Sequence, residues 1–322
     1  MIVKQREQSI YISQLEALHR RLDPSHRLKG IIHDTLIKEL SGIKGENALN
    51  YYLNFLPEDE YLILHNLRIK DSNNHFEIDT LLLCERFIIL IESKNWYGTL
   101  FFDGEKQVIR VGDNGKEEGL PNPIPQVKTQ RHRLQNWLNQ HGFPQIPLLY
   151  FVAISFPSTI IKQLYPAKPI PKEVIHSNSL YFEIEKLNNE YGTSIIDMDM
   201  LKDLSSKLVE ANEPSVVNIL EKFKISKNEL ITGVVCPGCA GLPMGRLHGK
   251  WYCVTCNLLS KDAHISLLQD YRLLIGDVIT NREARAFLMV DSPYVTKRIL
   301  LDNCVSIGDN GMRKYKINCK SR

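Results

Sequence analysis

The sequence lacks any long apolar run. Its apolar stretches, such as Leu81–Cys84 and Phe87–Ile91, are strand-sized, whereas a membrane-spanning helix needs about 20 apolar residues. A secretory signal is missing too: Met1 to Arg20 mixes Lys, Arg, Glu and Gln with apolar residues and has no continuous apolar core. A cytoplasmic location and no membrane association are therefore expected. There is little excess charge. Lys and Arg total 40 against 37 Asp and Glu, a net +3, which by itself does not mark a nucleic-acid partner; only the placement of charge could. No internal repeat or low-complexity tract is present, which excludes solenoids and arrays. Cysteine is sparse at seven residues. In a reducing compartment, clustered cysteines favour metal over disulfides.

What remains is ordinary globular composition, 43% hydrophobic and 24% charged over 322 residues. That length suits two or three domains and a core that needs no disulfide staples. Nothing in it fixes an oligomeric state. Periodicity predicts an amphipathic helical region over residues 1–40, broken at Asp23-Pro24, and a second helix from Gly45 to Phe55. Strands are predicted at Tyr61–Ile69, Phe76–Cys84, Phe87–Lys94, Thr99–Phe102 and Gln107–Val111. Gly112–Pro125 reads as a loop, Gln126–Gln140 as a helix and Pro147–Ser155 as a strand. Prolines at 157, 166, 169 and 171 suggest a linker, followed by a helical region, Ser194–Lys224. The order of elements indicates a mixed α/β domain.

The segment Phe76–Lys94 carries the most chemistry. Two apolar strands flank Glu85-Arg86. If those two residues form the hairpin connection, Cys84 pairs with Phe87. Asp79 then falls opposite Glu92, and Lys94 lies on the same face. Glu-Arg is not a favoured two-residue turn. Two neighbouring carboxylates repel unless a cation joins them. A hard divalent ion such as Mg²⁺ prefers carboxylate oxygens, and an adjacent lysine suits an attacking water or a phosphate oxygen. Alternatively, the three are surface residues, Lys94 being an ion-pair partner. The flanks oppose that. Ile78, Thr80, Leu82, Phe87, Ile89 and Ile91 suggest burial on one face, and Leu81, Leu83, Ile88 and Leu90 on the other.

The run Lys44-Gly-Glu-Asn, the strand Glu77-Ile-Asp79, the segment Ile91-Glu-Ser-Lys-Asn-Trp-Tyr-Gly98 and the Asn122-Pro…Gln126 helix start resemble the NERD domain, a nuclease-related relative of the restriction-endonuclease-like PD-(D/E)XK enzymes. The resemblance covers roughly residues 40–155. It implies a restriction-endonuclease-like mixed sheet flanked by helices. It also implies that Asp79 and Glu92 bind the metal, that Lys94 is the catalytic lysine, and that Glu46 and Gln126 complete the active site. Alone, Glu46 and Gln126 would read as solvated helix positions. Glu77 shares a face with Asp79, as a supporting group or merely a neighbour.

Downstream, Cys236-Pro-Gly-Cys239 and Cys253-Val-Thr-Cys256 form paired CxxC turns. Such pairs can present four thiolates to a structural Zn²⁺, and the pattern resembles a zinc ribbon. Trp251 and Tyr252 are placed to pack on it, and His248 and His264 are not needed as ligands. Cys84, Cys304 and Cys319 have no such spacing. Further on, Thr280-Asn-Arg-Glu283 has the form of a capping box, with Ala284, Phe287 and Leu288 on one face and a stop near Met289. Ser292-Pro293 starts another helix, which puts Val295 and Ile299 on one side and Tyr294, Lys297 and Arg298 on the other. Gly308-Asp-Asn-Gly311 then suggests a hairpin ending in the basic Arg313–Lys316. Helix-turn-helix plus hairpin resembles a winged helix. From His264 onward ten Lys/Arg face six Asp/Glu, ten minus six giving +4. Nucleic-acid contact and a plain helical packing domain remain alternatives there.

The expected division is an N-terminal helical segment at 1–39, a NERD nuclease-like domain at 40–156, a linker and helical region at 157–230, a zinc ribbon at 231–262 and a winged-helix domain at 263–322. The expected activity is nuclease action with Mg²⁺ or Mn²⁺, on DNA before RNA. The alternatives are a catalytically idle nuclease fold that binds nucleic acid or regulates, and a redox or zinc-handling protein.

Overall fold

Three elements open the chain: strand β1 (Ile2–Lys4) and helices α1 (Ile10–Arg21) and α2 (Lys29–Leu53). The computed structural model describes residues 1–7, 9–72, 74–104, 106–308 and 313–318. The start differs from the sequence expectation in two ways. Ile2–Lys4 is a strand, because it gains parallel pairing with a distant strand at Ile63 and Leu64. The two helices expected on either side of residue 40 are one. No proline interrupts 29–53, and glycine inside a helix costs only about 1 kcal/mol relative to alanine.

The chain divides into two units, Met1–Glu7 with Lys38–Ser215 and Gln8–Ile37 with Val216–Arg322. The first continues with β2 (Leu62–Lys70), β3 (His75–Leu83), β4 (Ile88–Lys94), β5 (Thr99–Asp103), β6 (Gln107–Val111), β7 (Glu117–Pro121), α3 (Pro123–Gln140), β8 (Leu148–Ile154), β9 (Ile160–Gln163), β10 (Val174–His176), α4 (Leu180–Glu190) and α5 (Met198–Glu210). A six-stranded sheet has the order β1-β2-β3-β4-β8-β10, and a four-stranded sheet the order β7-β6-β5-β9. The larger sheet is mixed: β2, β3 and β4 run antiparallel, while β4, β8 and β10 run parallel. The unit is thus a mixed α/β fold flanked by helices.

Alternation along the central strands explains the layering. Leu81, Leu83, Ile88 and Leu90 pack with Leu134 of α3 and Leu204 of α5. Leu82, Ile89 and Ile91 pack with Leu49 of α2 and Ile184 of α4. Ile78 departs from the expected face and joins the core of Leu81 and Leu83. Its neighbour across the ladder explains this: Asn66 has a φ of 49° and interrupts the β2–β3 pairing opposite Asp79. The expected loop at 112–125 contains β7, whose Glu-Glu-Gly sequence is a poor strand former held by its ladder to β6. The helix starts at Pro123 rather than Gln126, capped by Asn122, whose Oδ1 accepts from Ile124 N–H at 3.0 Å. The proline-bearing stretch after 156 contains β9 and β10, which join the two sheets through β5 and β8.

The second unit adds α6 (Ile219–Phe223), β11 (Gly245–Leu247), β12 (Lys250–Tyr252), β13 (Leu259–Ser260), α7 (His264–Leu274), β14 (Val278–Thr280), α8 (Asn281–Leu288), α9 (Pro293–Asn303), β15 (Cys304–Ile307) and β16 (Lys314–Ile317). The capping box forms as expected between Thr280 and Glu283, and α8 ends on a left-handed Met289. On α9, Ile299 is buried and Val295 packs partly against the same core. Strands pair in the order β14-β16-β15. The expected turn at 308–311 lies, apart from Gly308, outside the described residues, as does Cys319. Among the described residues no helix is long and apolar enough to cross a membrane.

One buried ion pair ties the ends of this unit together. Arg21, fully buried, donates from Nε to Asp270 Oδ2 at 2.7 Å and from Nη1 to the Gly233 carbonyl at 2.7 Å. Arg20 donates to the other carboxylate oxygen at 2.6 Å. Removing the acid would strand a buried cation, at a cost of about 3–5 kcal/mol. Asp270→Ala should therefore lower the denaturant midpoint of the full chain strongly. A change no larger than that of an exposed substitution would refute this role.

Candidate active site

The β3–β4 register matches the hairpin count. Leu83 pairs with Ile88 and Thr80 with Ile91, and Cys84 N–H donates to the Phe87 carbonyl at 3.1 Å. Continued one step, the same register sets Asp79 across from Glu92. Asp79 Oδ2 accepts from Ser93 N–H at 2.9 Å, which holds its carboxylate against the β4 backbone beside Glu92. Glu92 is buried. Its Oε1 accepts from Lys94 Nζ at 2.6 Å and from Gln126 Nε2 at 2.7 Å, and its Oε2 from Gln130 Nε2 at 3.2 Å. Lys94 Nζ also reaches Gln126 Oε1 at 3.5 Å. Asp79, Glu92, Lys94 and Gln126 thus meet at one end of the central strands.

Glu46 arrives from α2. Gly45 makes the approach possible, since a Cβ there would lie 2.5 Å from both Asn95 Cβ and Ser155 Oγ. Glu46 Oε2 accepts from Arg6 Nη1 at 2.8 Å and from Asn66 Nδ2 at 3.0 Å. Arg6 also donates to the Asp79 carbonyl at 3.2 Å and to Thr80 Oγ1 at 2.6 Å. Thr80 Oγ1 lies 3.1 Å from His65 Nδ1. Burial and the charges of Arg6 and Lys4 push His65 down to about 3, so its ring is neutral at physiological pH.

Arg6, Thr80, His65, Asn66 and Gln130 were not singled out from sequence. Gln130 had a signal: it sits one turn after Gln126, on the same helix face. Arg6 had none, because its partners lie 40 or more residues away. Glu77 turns out to be a surface neighbour, paired with Arg68 at 3.2 Å and largely exposed. After Lys94 the chain turns at Gly98, whose φ of 88° and closeness to the Val111 carbonyl leave no room for a side chain.

Electrostatics mark the same spot. Burial, then the charges of Glu92 and Glu46, push the Asp79 carboxyl well above the usual carboxylate range, against the opposing pull of Ser93 N–H and Lys94. A buried carboxyl with two further carboxylates close by is a donor set suited to a hard divalent cation.

Residues 41–155 match the family model NERD, nuclease-related domain. No curated protein and no solved structure matches the chain. The NERD match includes Glu46, Asp79, Glu92, Lys94 and Gln126, and takes in only the second half of α2. Arg6 lies outside it.

The cysteines form a second cluster. The Sγ atoms of Cys236, Cys239, Cys253 and Cys256 all lie within 4.8 Å of one another. Both turns share one backbone pattern. Ala240 N–H donates to the Cys236 carbonyl and Asn257 N–H to the Cys253 carbonyl, each at 2.9 Å. Ala240 and Asn257 are both left-handed. Four thiols so placed could bind zinc. Trp251 is buried with Cys236 and Cys253, whereas Tyr252 bonds Asn257. His264 contacts Trp251 and Asn303 and is not part of the cluster.

A raised aspartate pKa has a sign. The folded state holds that proton more tightly than the unfolded state. The contribution of Asp79 to metal-free stability is therefore fully present below the unfolded value of about 3.9 and is lost as pH rises through the native pKa. Asn at position 79 can still accept from Ser93 N–H but carries no charge. Asp79→Asn should flatten the decline and raise the metal-free Tm at pH 8 by roughly a few degrees. A Tm at or below wild type at pH 8 would contradict the repulsion.

Proposed function

We propose that the chain is a metal-dependent nuclease that hydrolyses phosphodiester bonds, with DNA as substrate, and that Asp79 and Glu92 hold the Mg²⁺ or Mn²⁺. The gathering of Asp79, Glu92 and Lys94 on one strand register supports this reading most directly. When bound, the cation would polarise a phosphoryl oxygen and lower the pKa of a water. Lys94 Nζ would donate to the attacking water or to a phosphate oxygen. Gln126 and Gln130 hold the Glu92 carboxylate in place, and Arg6 and Asn66 do the same for Glu46. The attacking water's oxygen bonds to phosphorus and loses a proton to solvent, the P–O bond to the leaving strand breaks, and the leaving oxygen takes up a proton.

The division into modules belongs to the same proposal. Residues 40–156 form the catalytic part, to which the 1–39 segment adds β1 and Arg6 and the 157–230 segment adds β9, β10, α4 and α5. Residues 231–262 form a zinc ribbon, supported by the matching turns around four thiols. Residues 263–322 form a winged helix, supported by the order helix, strand, two helices, two strands. The competing reading, an idle nuclease fold that binds nucleic acid, draws on one observation. Both Glu92 oxygens already have partners, and Glu46 is engaged by Arg6.

Cleavage decides between them. Purified chain is incubated with DNA and RNA, single- and double-stranded, in Mg²⁺, Mn²⁺ or EDTA. Cleavage that needs the cation and falls about 100-fold or more in Asp79→Ala, Glu92→Ala and Lys94→Ala is expected. Lys94→Ala should keep its metal affinity. A wild-type rate for Glu92→Ala would overturn the mechanism, and no cleavage under any condition would favour the idle fold.

Metal analysis tests the ribbon. Protein purified without added zinc should contain one Zn²⁺ per chain. Cys236→Ser should lose it and unfold the ribbon while sparing the NERD segment, since the site and its local fold form together. Zinc-free protein with an intact ribbon would refute the assignment.

A further inference from the structure

Two exposed aromatic rings stand where β4 and β8 leave the candidate active site. Tyr97 follows Lys94 by three residues, and Phe156 follows Ser155, whose N–H donates to the Lys94 carbonyl at 3.0 Å. The ring centroids lie 6.3 Å apart, with the planes at 59°. Tyr97 is 43% exposed and Phe156 39%. Rings this exposed add little to folding, and an apolar pair left in water beside a site marks a contact surface.

The backbone that carries them is fixed. Thr159 Oγ1 donates to the Trp96 carbonyl at 2.5 Å and Ile160 N–H to the Gly98 carbonyl at 3.0 Å, so the chain is held on both sides of Tyr97. Asn95 Nδ2 donates to the Ser41 carbonyl of α2 at 2.8 Å. The Arg110 guanidinium carbon sits 4.6 Å from the Tyr97 ring centroid, and Glu118 accepts from Arg110 Nη2. Arg110 therefore backs one face of the ring, and the exposed area belongs to its other face and edges. Cations flank the pair: Lys94 at the site, and exposed Lys44, which precedes the Gly45 packed against Asn95 and Ser155. Three residues span at most about 10 Å, so one strand of nucleic acid can meet Lys94 and Tyr97 together. Unpaired bases offer flat faces to such rings, and their phosphates suit the lysines. Bases inside a duplex are already stacked on one another and leave the rings without a partner.

We propose that Tyr97 and Phe156 form a stacking platform for an unpaired base beside the scissile phosphate, so that single-stranded nucleic acid binds in preference to duplex. The choice of nucleic acid as the ligand rests on the nuclease reading. The platform lies on the continuations of the two strands whose pairing positions Lys94, so a base held there sets which phosphate faces the site.

Binding is measured with full-length protein in EDTA at low salt, so that no cleavage intervenes. The probes are a short single-stranded oligodeoxynucleotide carrying one 2-aminopurine, whose fluorescence falls when it stacks on a ring, and the matching duplex. The single strand should bind about tenfold or more tighter than the duplex, with quenching. Tyr97→Leu and Phe156→Leu, which keep apolar bulk without the ring, should each weaken single-strand binding about tenfold. Both should lose quenching and leave duplex binding unchanged. Tyr97→Phe and Phe156→Tyr, which keep a ring, should bind and quench as wild type does. The thermal midpoint of each variant is measured, and should Tyr97→Leu fold poorly, Phe156→Leu and Tyr97→Phe carry the test. A single strand bound no tighter than duplex would overturn the platform, and so would wild-type affinity and quenching in both leucine variants. Loss of self-association in Tyr97→Leu, with single-strand binding unchanged, would mark a contact between copies of this chain and overturn it too. The nuclease reading fails separately: ring-dependent binding by a wild-type chain that never cleaves would leave the platform standing.

Discussion

Asp79 and Glu92 repel one another, and much of the first unit is arranged to hold them side by side regardless. The β3–β4 register sets their spacing, and a slip of one residue would send them to opposite faces. Apolar rows on both faces of the central strands prevent that slip, since each row has its own core to fill. Ser93 N–H holds one carboxylate, and two glutamines and a lysine hold the other. Burial first, and then that repulsion, raise the Asp79 pKa. Fixed donors around a destabilised carboxylate are an arrangement that folding alone does not reward, and such strain is usual at functional sites.

The parts of this arrangement that could be read from sequence are those fixed by local periodicity. Alternation in Phe76–Cys84 and Phe87–Lys94 gave the strands, and the two-residue connection gave the register. The cysteine turns were legible for a similar reason, since each is complete within six residues and depends on nothing distant. Thr280 and Ser292 announced their helices because a cap is a local device.

The parts that were hidden depend on tertiary contact. Ile2–Lys4 is a strand only because Ile63 and Leu64 are there to pair with it. Glu117–Pro121 has almost no strand propensity and is held by its neighbour's ladder. Arg6 reaches Glu46, Asp79 and Thr80 from a segment whose own sequence suggests a helix. The irregular Asn66, which shifts the phase of β3, follows no pattern in its strand. Each is a case in which one good long-range partner outweighs local preference.

The order of the chain has a consequence for how the protein is made. The second unit begins at residue 8, is interrupted by residues 38–215 and resumes at 216. Arg21 is synthesised 249 residues before Asp270, the acid that neutralises it. At ribosomal speeds of about 5–20 residues per second, that gap lasts roughly ten seconds to a minute. Throughout that time Leu15 and Leu18 of α1, buried in the finished protein, lack α7, against which α1 packs. That segment must stay free of aggregation until its partner helices are made, so residues 8–37 are where a chaperone would be most needed.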